Sequence, residues 1–152
     1  MRKHTLGNRA LIAGAEVFLD TNILLYAAGG KFREPRKHDV AQGLLSSNFG
    51  LSTQVLAEFF WNATRKGPKP LSHDDAAQWV NVLAKKPVQV VDLPIVQSAI
   101  TLSGRYKISY WDGAIIAAAE AIGAATLYSE DLNHGQKYGR VKVVNPFLEP
   151  SS

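Results

Sequence analysis

Short apolar strand candidates alternate with helical segments along almost the whole chain. The alternation begins in EVFLDTNILLYAAGG, where the apolar run from Val17 to Asp20 passes directly into helical turns that end at Gly29. Strands separated by helices of this length form a parallel sheet, because each return crossover packs a helix against the sheet. The sequence therefore predicts an α/β fold. The other strand candidates are 51–53, 88–93, 125–129 and 141–144, and the other helix candidates are 35–45, 54–66, 72–84, 94–106 and 109–122.

The length of the chain suits one domain, and its composition narrows the class of protein. Its 152 residues allow one hydrophobic core but not two. The absence of cysteine excludes disulfides and thiolate zinc sites, and it fits a cytoplasmic protein. No run approaches the roughly 18 apolar residues that a membrane-spanning helix needs, so a membrane protein is not expected. The net charge of +4 favours a polyanionic partner such as nucleic acid, and a solvated basic surface explains it equally well.

Three aspartates fall where a predicted strand ends or a predicted helix begins. Asp20 closes the first strand, Asp131 follows the strand 125–129, and Asp112 lies in the first turn of the apolar helix 109–122. Ligands of open α/β sheets bind beyond the carboxyl ends of the strands, because loops and helix N-termini meet there. We therefore expect these three carboxylates to share one edge of the sheet.

Glu58 is a fourth acidic candidate and lies on the predicted helix 54–66. At about 100° per residue it falls at the border of the apolar face, where an acid can reach a cleft while its helix packs on the sheet. Each acid also has an ordinary explanation, which is the better one when the acids are taken singly. Asp20 matches a helix cap, Asp112 the fourth residue of a capping box that begins at the cap Ser109, Asp131 a turn residue, and Glu58 a solvated helix residue.

Taken together, the four acids favour a metal site. Carboxylates gathered at one edge repel one another unless a cation neutralises them. Oxygen ligands suit the hard cations Mg²⁺ and Mn²⁺. A metal-binding acidic pocket in a basic chain is suited to phosphodiester hydrolysis, because the metal lowers the pKa of a bound water and stabilises the attacking and leaving oxygens.

The order and spacing of these acids resemble those of PIN-domain ribonucleases, and within them the VapC-like toxins of toxin-antitoxin pairs. The matching segments are FLDTNILLYA, STQVLAEFFWN, SYWDGAIIAAA and LYSEDLNHGQKYGRVKVVNPF. The resemblance implies a PIN-like three-layer fold, with a central, mainly parallel sheet of four to five strands flanked by helices. Residues 16–149 are expected to form this single nuclease domain. Residues 1–15 are expected to be an N-terminal extension, a candidate for disorder, and either natural or a start-site artefact.

The resemblance also implies the roles of the site residues. In that family a catalytic acidic quartet binds Mg²⁺ or Mn²⁺, and two further polar positions support it. The supporting positions correspond to Asn22 and Ser129. Whether Glu58 binds metal directly or through water stays open, as does the number of metal ions. The quartet corresponds to Asp20, Glu58, Asp112 and Asp131.

The activity and partners that the resemblance implies are those of a toxin. Family members cut RNA, commonly tRNA or rRNA, by metal-activated water, and they form homodimers. A cognate antitoxin inhibits them by binding a groove beside the site. Two alternatives stay open: an RNA-binding or protein-binding module without catalysis, and a housekeeping RNA-processing nuclease without an antitoxin. The expected antitoxin contacts here are Leu24, Leu25, Tyr26 and Phe32.

Some residues are singled out by their chemistry rather than by the resemblance. The four histidines are dispersed without H-E-x-x-H spacing, which argues against a zinc hydrolase. Trp61 is a candidate for a subunit interface, whereas Trp79 and Trp111 are expected to serve packing. Gly113 stands where the family commonly has alanine, and glycine is small enough to keep the packing. Basic side chains near the predicted site are candidate RNA contacts, with a solvated surface as the alternative: Arg33, Arg36, Lys37 and His134.

Overall fold

Helices and strands alternate in a computed structural model that describes residues 14–29, 34–65 and 67–149. The observed order agrees with the alternation predicted from the sequence. The strands are β1 (Val17–Leu19), β2 (Phe49–Ser52), β3 (Val88–Gln89), β4 (Thr126–Tyr128), β5 (Lys137–Tyr138) and β6 (Val141–Val144). The helices are α1 (Thr21–Gly29), α2 (Pro35–Leu44), α3 (Thr53–Ala63), α4 (His73–Leu83), α5 (Leu93–Tyr106) and α6 (Tyr110–Ala121).

The strands form one sheet in the order β3-β2-β1-β4-β6-β5. Strands β1, β2, β3, β4 and β6 pair in parallel, and β5 pairs antiparallel with β6 at one edge. The α/β class and the mainly parallel sheet are thus confirmed. The described part of the chain contains six strands rather than four to five, because the two-residue β5 is too short to produce an alternation in the sequence.

The hydrophobic core lies against the two central strands. Phe18 and Leu19 of β1 and Leu127 of β4 are fully buried. Helix α6 is buried over most of its surface, as its apolar sequence predicts, and it packs closely against α5. Helix α1 packs against both α2 and α3. No helix within the described ranges is long and apolar enough to span a membrane.

The contact between α5 and α6 is close enough to require glycine at position 113. A Cβ atom built on Gly113 would lie 2.6 Å from the carbonyl oxygen of Ala99 on α5. Real Cβ contacts are not this short, and a backbone carbonyl in a packed helix cannot turn away as a flexible side chain does. Glycine at position 113 is therefore required by the helix contact and not merely compatible with it, because an alanine would force the two helices apart.

We expect Gly113→Ala to destabilise the protein by about 1–3 kcal/mol through overpacking, although alanine favours helix more than glycine does. The matched control is Gly104→Ala on α5, where an added Cβ meets nothing within 4 Å. That variant is expected to stabilise by up to about 1 kcal/mol. Urea unfolding of both variants measures the difference, and a stabilising effect of Gly113→Ala would contradict the close helix contact.

Candidate active site

The four acids singled out in the sequence line one pocket of about 170 Å³. They come from four separate parts of the chain. Asp20 directly follows β1, and Asp131 lies three residues after the end of β4. Glu58 is carried by α3 and Asp112 by the first turn of α6. The remaining lining residues are polar or apolar side chains without charge: Thr21, Asn22, Gln54, Asn62, Trp111 and Ile115.

Helix caps place two of the acids. The Ser52 hydroxyl accepts a hydrogen bond from the N–H of Val55 and so begins α3, whose second turn carries Glu58. The Ser109 hydroxyl accepts from the N–H of Asp112 at 3.0 Å and begins α6. The cap predicted for Ser109 is thus observed, and Asp112 lines the pocket from that same first turn.

Asp20 does not behave as a helix cap. The side chain of an N-cap residue accepts a hydrogen bond from the second or third backbone N–H of its helix. The Asp20 carboxylate instead accepts from the first, the N–H of Thr21, at 2.7 Å, and its other oxygen accepts from the Ser129 hydroxyl at 2.8 Å. The side chain is buried, with only 6% of the residue exposed. A helix cap alone therefore does not explain Asp20, because its second oxygen is bound by Ser129.

Burial raises the pKa of Asp20 to about 6, and this effect outweighs the two hydrogen bonds that stabilise the charged form. The charges of Asp131 and Glu58 raise this pKa further. The pKa values of Asp112 and Asp131 are also raised, mainly by burial and then by neighbouring carboxylates. The pocket thus gathers four carboxylates, of which Asp20 is buried and Asp131 is exposed to solvent.

Hydrogen bonds connect the acids to their polar neighbours. The Thr21 hydroxyl donates to Glu58 Oε1 at 2.7 Å, and the Asn22 amide donates to Asp131 Oδ2 at 3.2 Å. Ser129 links two acids, since its hydroxyl donates to Asp20 and accepts from the N–H of Asp131 at 3.1 Å. The two positions that the resemblance named as supporting, Asn22 and Ser129, therefore contact the acids directly.

The composition of the pocket fits a hard divalent cation. Four carboxylates supply oxygen ligands, and none of the described residues that line the pocket is a lysine, arginine or histidine. Three of the four carboxylates, those of Asp20, Glu58 and Asp131, instead accept hydrogen bonds from Thr21, Asn22 or Ser129. Accordingly, no three histidine, aspartate or glutamate side chains in the described residues stand in an arrangement that holds a metal ion.

The basic residues predicted as RNA contacts are engaged within the chain where the structure describes them. Arg36 pairs with Glu149 at 3.1 Å, and Lys37 pairs with Glu130 at 2.9 Å. His134 Nδ1 accepts from the backbone N–H of Asn145 at 3.0 Å. Arg33 lies outside the described residues.

Five lining residues were not among the predicted site residues: Thr21, Gln54, Asn62, Trp111 and Ile115. The threonine of D-T-N was visible, but its partner Glu58 is 37 positions away and only the fold brings them together. Trp111 was expected to serve packing, and this is wrong, because 62% of the residue is exposed. Trp79 does pack, with its ring 5.9 Å from that of Phe59.

The pocket geometry and the sequence lead to the same family. The family model of the PIN domain matches residues 17–139, which is most of the chain. The chain belongs to the PIN domain family. The resemblance on which the sequence interpretation was based is thereby confirmed, and the matched region begins at β1 and contains all four pocket acids. No curated protein sequence matches this PIN domain significantly.

Several solved structures share this fold at about 20% sequence identity or less. The sarcin-ricin-loop-cleaving toxin VapC20 of Mycobacterium tuberculosis is 19% identical, with a TM-score of 0.60 over 76% of this chain and 89% of that chain. A toxin-antitoxin complex from Klebsiella pneumoniae is 20% identical, with a TM-score of 0.61 over 86% and 98%. VapBC2 of Rickettsia felis, bound to promoter DNA, is 17% identical, with a TM-score of 0.58 over 84% and 96%.

Proposed function

We propose that this PIN domain is a metal-dependent endoribonuclease and the toxin of a toxin-antitoxin pair. The observation that carries the proposal is the convergence of Asp20, Glu58, Asp112 and Asp131 on one pocket. Carboxylates that raise one another's pKa are costly to keep together, above all where one of them is buried as Asp20 is, and functional sites are where such clusters are retained. A bound cation offsets that cost.

Asp20, Asp112 and Asp131 would hold Mg²⁺ or Mn²⁺, with Glu58 binding directly or through water. Such an ion lowers the pKa of a bound water and stabilises the charge that develops on the phosphodiester. The chain's own polar groups fix the acids. Ser129 and the N–H of Thr21 orient Asp20, while the hydroxyl of Thr21 holds Glu58. A bound ion would replace some of these contacts, because the described acids do not already stand in a metal-binding arrangement.

The substrate that we propose is RNA, in particular a folded tRNA or rRNA. One structural relative is described as cleaving the sarcin-ricin loop, which supports ribosomal RNA as a substrate class. The net charge of +4 favours a polyanion and disfavours a cationic ligand. RNA of this kind is recognised by shape and exposed bases as well as by charge.

An apolar pocket between α1 and α3 supports an antitoxin as protein partner. Its volume is about 130 Å³, and Leu25, Tyr26, Ala63 and Leu71 are among its lining residues. It therefore includes two of the side chains expected to contact an antitoxin. Leu24 was also expected to do so, which is wrong, because Leu24 is fully buried in the core. Phe32 lies outside the described residues.

A second copy of the chain is proposed to cover part of the exposed apolar surface. Trp61, Leu93 and Trp111 are each more than half exposed, so a partner that covered them would bury apolar surface. Burial of such side chains is what drives homodimer formation. The exposed indole of Trp61 also has the Arg65 guanidinium 3.5 Å from its ring centroid.

The proposed activity is tested by incubating the purified protein with cellular RNA and Mg²⁺ or Mn²⁺, with and without a chelator. We expect internal cleavage that the chelator abolishes. Glu58→Gln keeps an oxygen to accept from the Thr21 hydroxyl, so it should fold, yet it removes one charge from the pocket. Its cleavage rate is expected to fall at least about ten-fold.

The matched control is Glu16→Gln, an exposed glutamate before β1, which should cleave as the wild type does. Metal-independent cleavage would contradict the proposed chemistry, and RNA binding without cleavage would favour a binding module. For the toxin role, expression should arrest growth, and the small protein encoded next to this one should relieve the arrest. Cleavage without growth arrest would instead indicate a housekeeping nuclease.

A further inference from the structure

A fifth acid, Glu130, stands directly before Asp131 in the chain but is held away from the carboxylate pocket. Both of its carboxylate oxygens are bound. Oε2 lies 2.9 Å from the Lys37 ammonium, and Oε1 accepts from the Tyr26 hydroxyl at 2.7 Å. Lys37 also donates to the Tyr26 hydroxyl at 3.2 Å. We call Tyr26, Lys37 and Glu130 the Glu130 brace.

The Glu130 brace is shielded from solvent. The side chains of Lys37 and Glu130 are only 26% and 18% exposed. The Lys37 ammonium lies 4.9 Å from the ring centroid of Tyr26 and 5.3 Å from that of Phe147. Ion pairs in such surroundings are screened less than surface pairs, and removing one partner leaves the other charge uncompensated. The brace is therefore a stronger connection than an ordinary surface salt bridge.

The brace connects three separate parts of the fold next to the pocket. Tyr26 is on α1, Lys37 on α2, and Glu130 in the segment after β4. The following residue, Asp131, lines the pocket and accepts from the Asn22 amide. Because neighbouring residues share a peptide plane, fixing the Glu130 side chain on one side limits the backbone that carries Asp131 on the other.

We propose that Glu130 is a positioning residue: through Lys37 and Tyr26 it fixes the backbone that holds Asp131 in the pocket. The kinetic consequence of this proposal rests on the proposed nuclease function, whereas its structural consequence does not. Outer contacts that orient a ligand typically change metal affinity by about 10–100-fold when removed. Lys37 then acts through Glu130 and not by binding RNA.

The two roles of Lys37 give opposite expectations for Glu130→Gln. If Lys37 binds a phosphate of RNA, removing the Glu130 charge frees it and lowers the KM. If Lys37 belongs to the brace, Glu130→Gln loosens the Asp131 segment, so kcat and Mn²⁺ affinity fall while the KM for RNA hardly changes. The variant therefore distinguishes the two roles by the direction of its effect.

The experiment compares the full-length wild type with Glu130→Gln, Lys37→Met and the double variant. Mn²⁺ affinity is measured by electron paramagnetic resonance of the free ion, cleavage by kcat and KM, and the Ser129–Asn133 segment by amide hydrogen exchange. Each single variant is expected to bind Mn²⁺ about ten-fold more weakly and to exchange faster in that segment. The double variant should be no worse than either single one, because both remove the same contact. Lys37→Arg should restore most of the affinity.

The controls are Glu16→Gln and Lys142→Met, which remove exposed charges away from the brace. Unchanged exchange in the Ser129–Asn133 segment of both single variants would overturn the proposal, and so would a lower KM in Glu130→Gln. A wild type that neither binds Mn²⁺ nor cleaves RNA would instead refute the proposed function. Hydrogen exchange would still decide whether the brace positions the segment.

Discussion

Replacing Asp20 by asparagine is expected to lower RNA cleavage by at least about 100-fold. Loss of a contact outside the ligands typically costs about 10–100-fold, and loss of a proposed ligand should cost no less. The same change should stabilise the metal-free protein at pH 7. The charged carboxylate is buried with two other acids near it, and its pKa of about 6 means that ionising it costs free energy in the folded state. The pKa of Asp20 lies above the ordinary value of 3.8, and this difference corresponds to a gain of up to about 3 kcal/mol in the free energy of unfolding.

Cleavage assays and urea unfolding with a chelator measure these opposite effects. Asp20→Ser separates the two roles weighed for this residue, because serine is as good a helix cap as aspartate but a poorer metal ligand. We expect Asp20→Ser to be inactive. Asp92→Ser is the matched control, since Asp92 caps α5 through the N–H of Ile95 and lies outside the pocket lining. An active Asp20→Ser would contradict the assignment of Asp20 as a ligand.

The stability of the metal-free protein is expected to depend on pH through Asp20. Its folded pKa of about 6 lies above the ordinary value of 3.8, so between these values the folded state binds more protons than the unfolded state. The free energy of unfolding therefore falls as the pH rises from about 4 to about 6, by up to about 3 kcal/mol from this group. The raised pKa values of Asp112 and Asp131 act in the same direction.

Urea unfolding across this pH range, in the presence of a chelator, measures the effect. Because other carboxylates titrate in the same range, the informative quantity is the difference between wild type and Asp20→Asn. That difference should grow as the pH rises towards 7, and saturating Mn²⁺ should stabilise the wild type and not the variant. Parallel curves for the two proteins would contradict the burial of an ionised Asp20.

Local signals in the sequence located most elements of the fold. Ser109 was recognisable as a cap, and its hydroxyl accepts the expected backbone hydrogen bond. The limits of the strands were harder to predict. The predicted strand 88–93 is reduced to Val88–Gln89, and Lys137–Tyr138 was not anticipated. Strand pairing depends on a partner that is distant in sequence, so strand limits are less local than helix limits.

Long-range contacts decide the surroundings of single side chains. Lys37 was a candidate RNA contact because it lies in a basic run, and its actual partner Glu130 is 93 positions away. Arg36 likewise contacts the carbonyl of Phe147, 111 positions away. Trp111 was assigned to packing by its size alone. In each case the environment of the side chain depends on which elements meet, which local composition does not specify.

The sequence by itself determined the α/β class, the PIN family and the four acids of the pocket. Periodicity and residue order are local features, and they place the acids at strand ends and on predicted helices. The tertiary structure alone decided that Asp20 is buried, that Thr21 and Ser129 bind the acids, and that Glu130 is held apart by Lys37. Desolvation and hydrogen bonding depend on distances between parts of the chain that are far apart in sequence. The acids are therefore readable from the sequence, whereas their charge and orientation are properties of the fold.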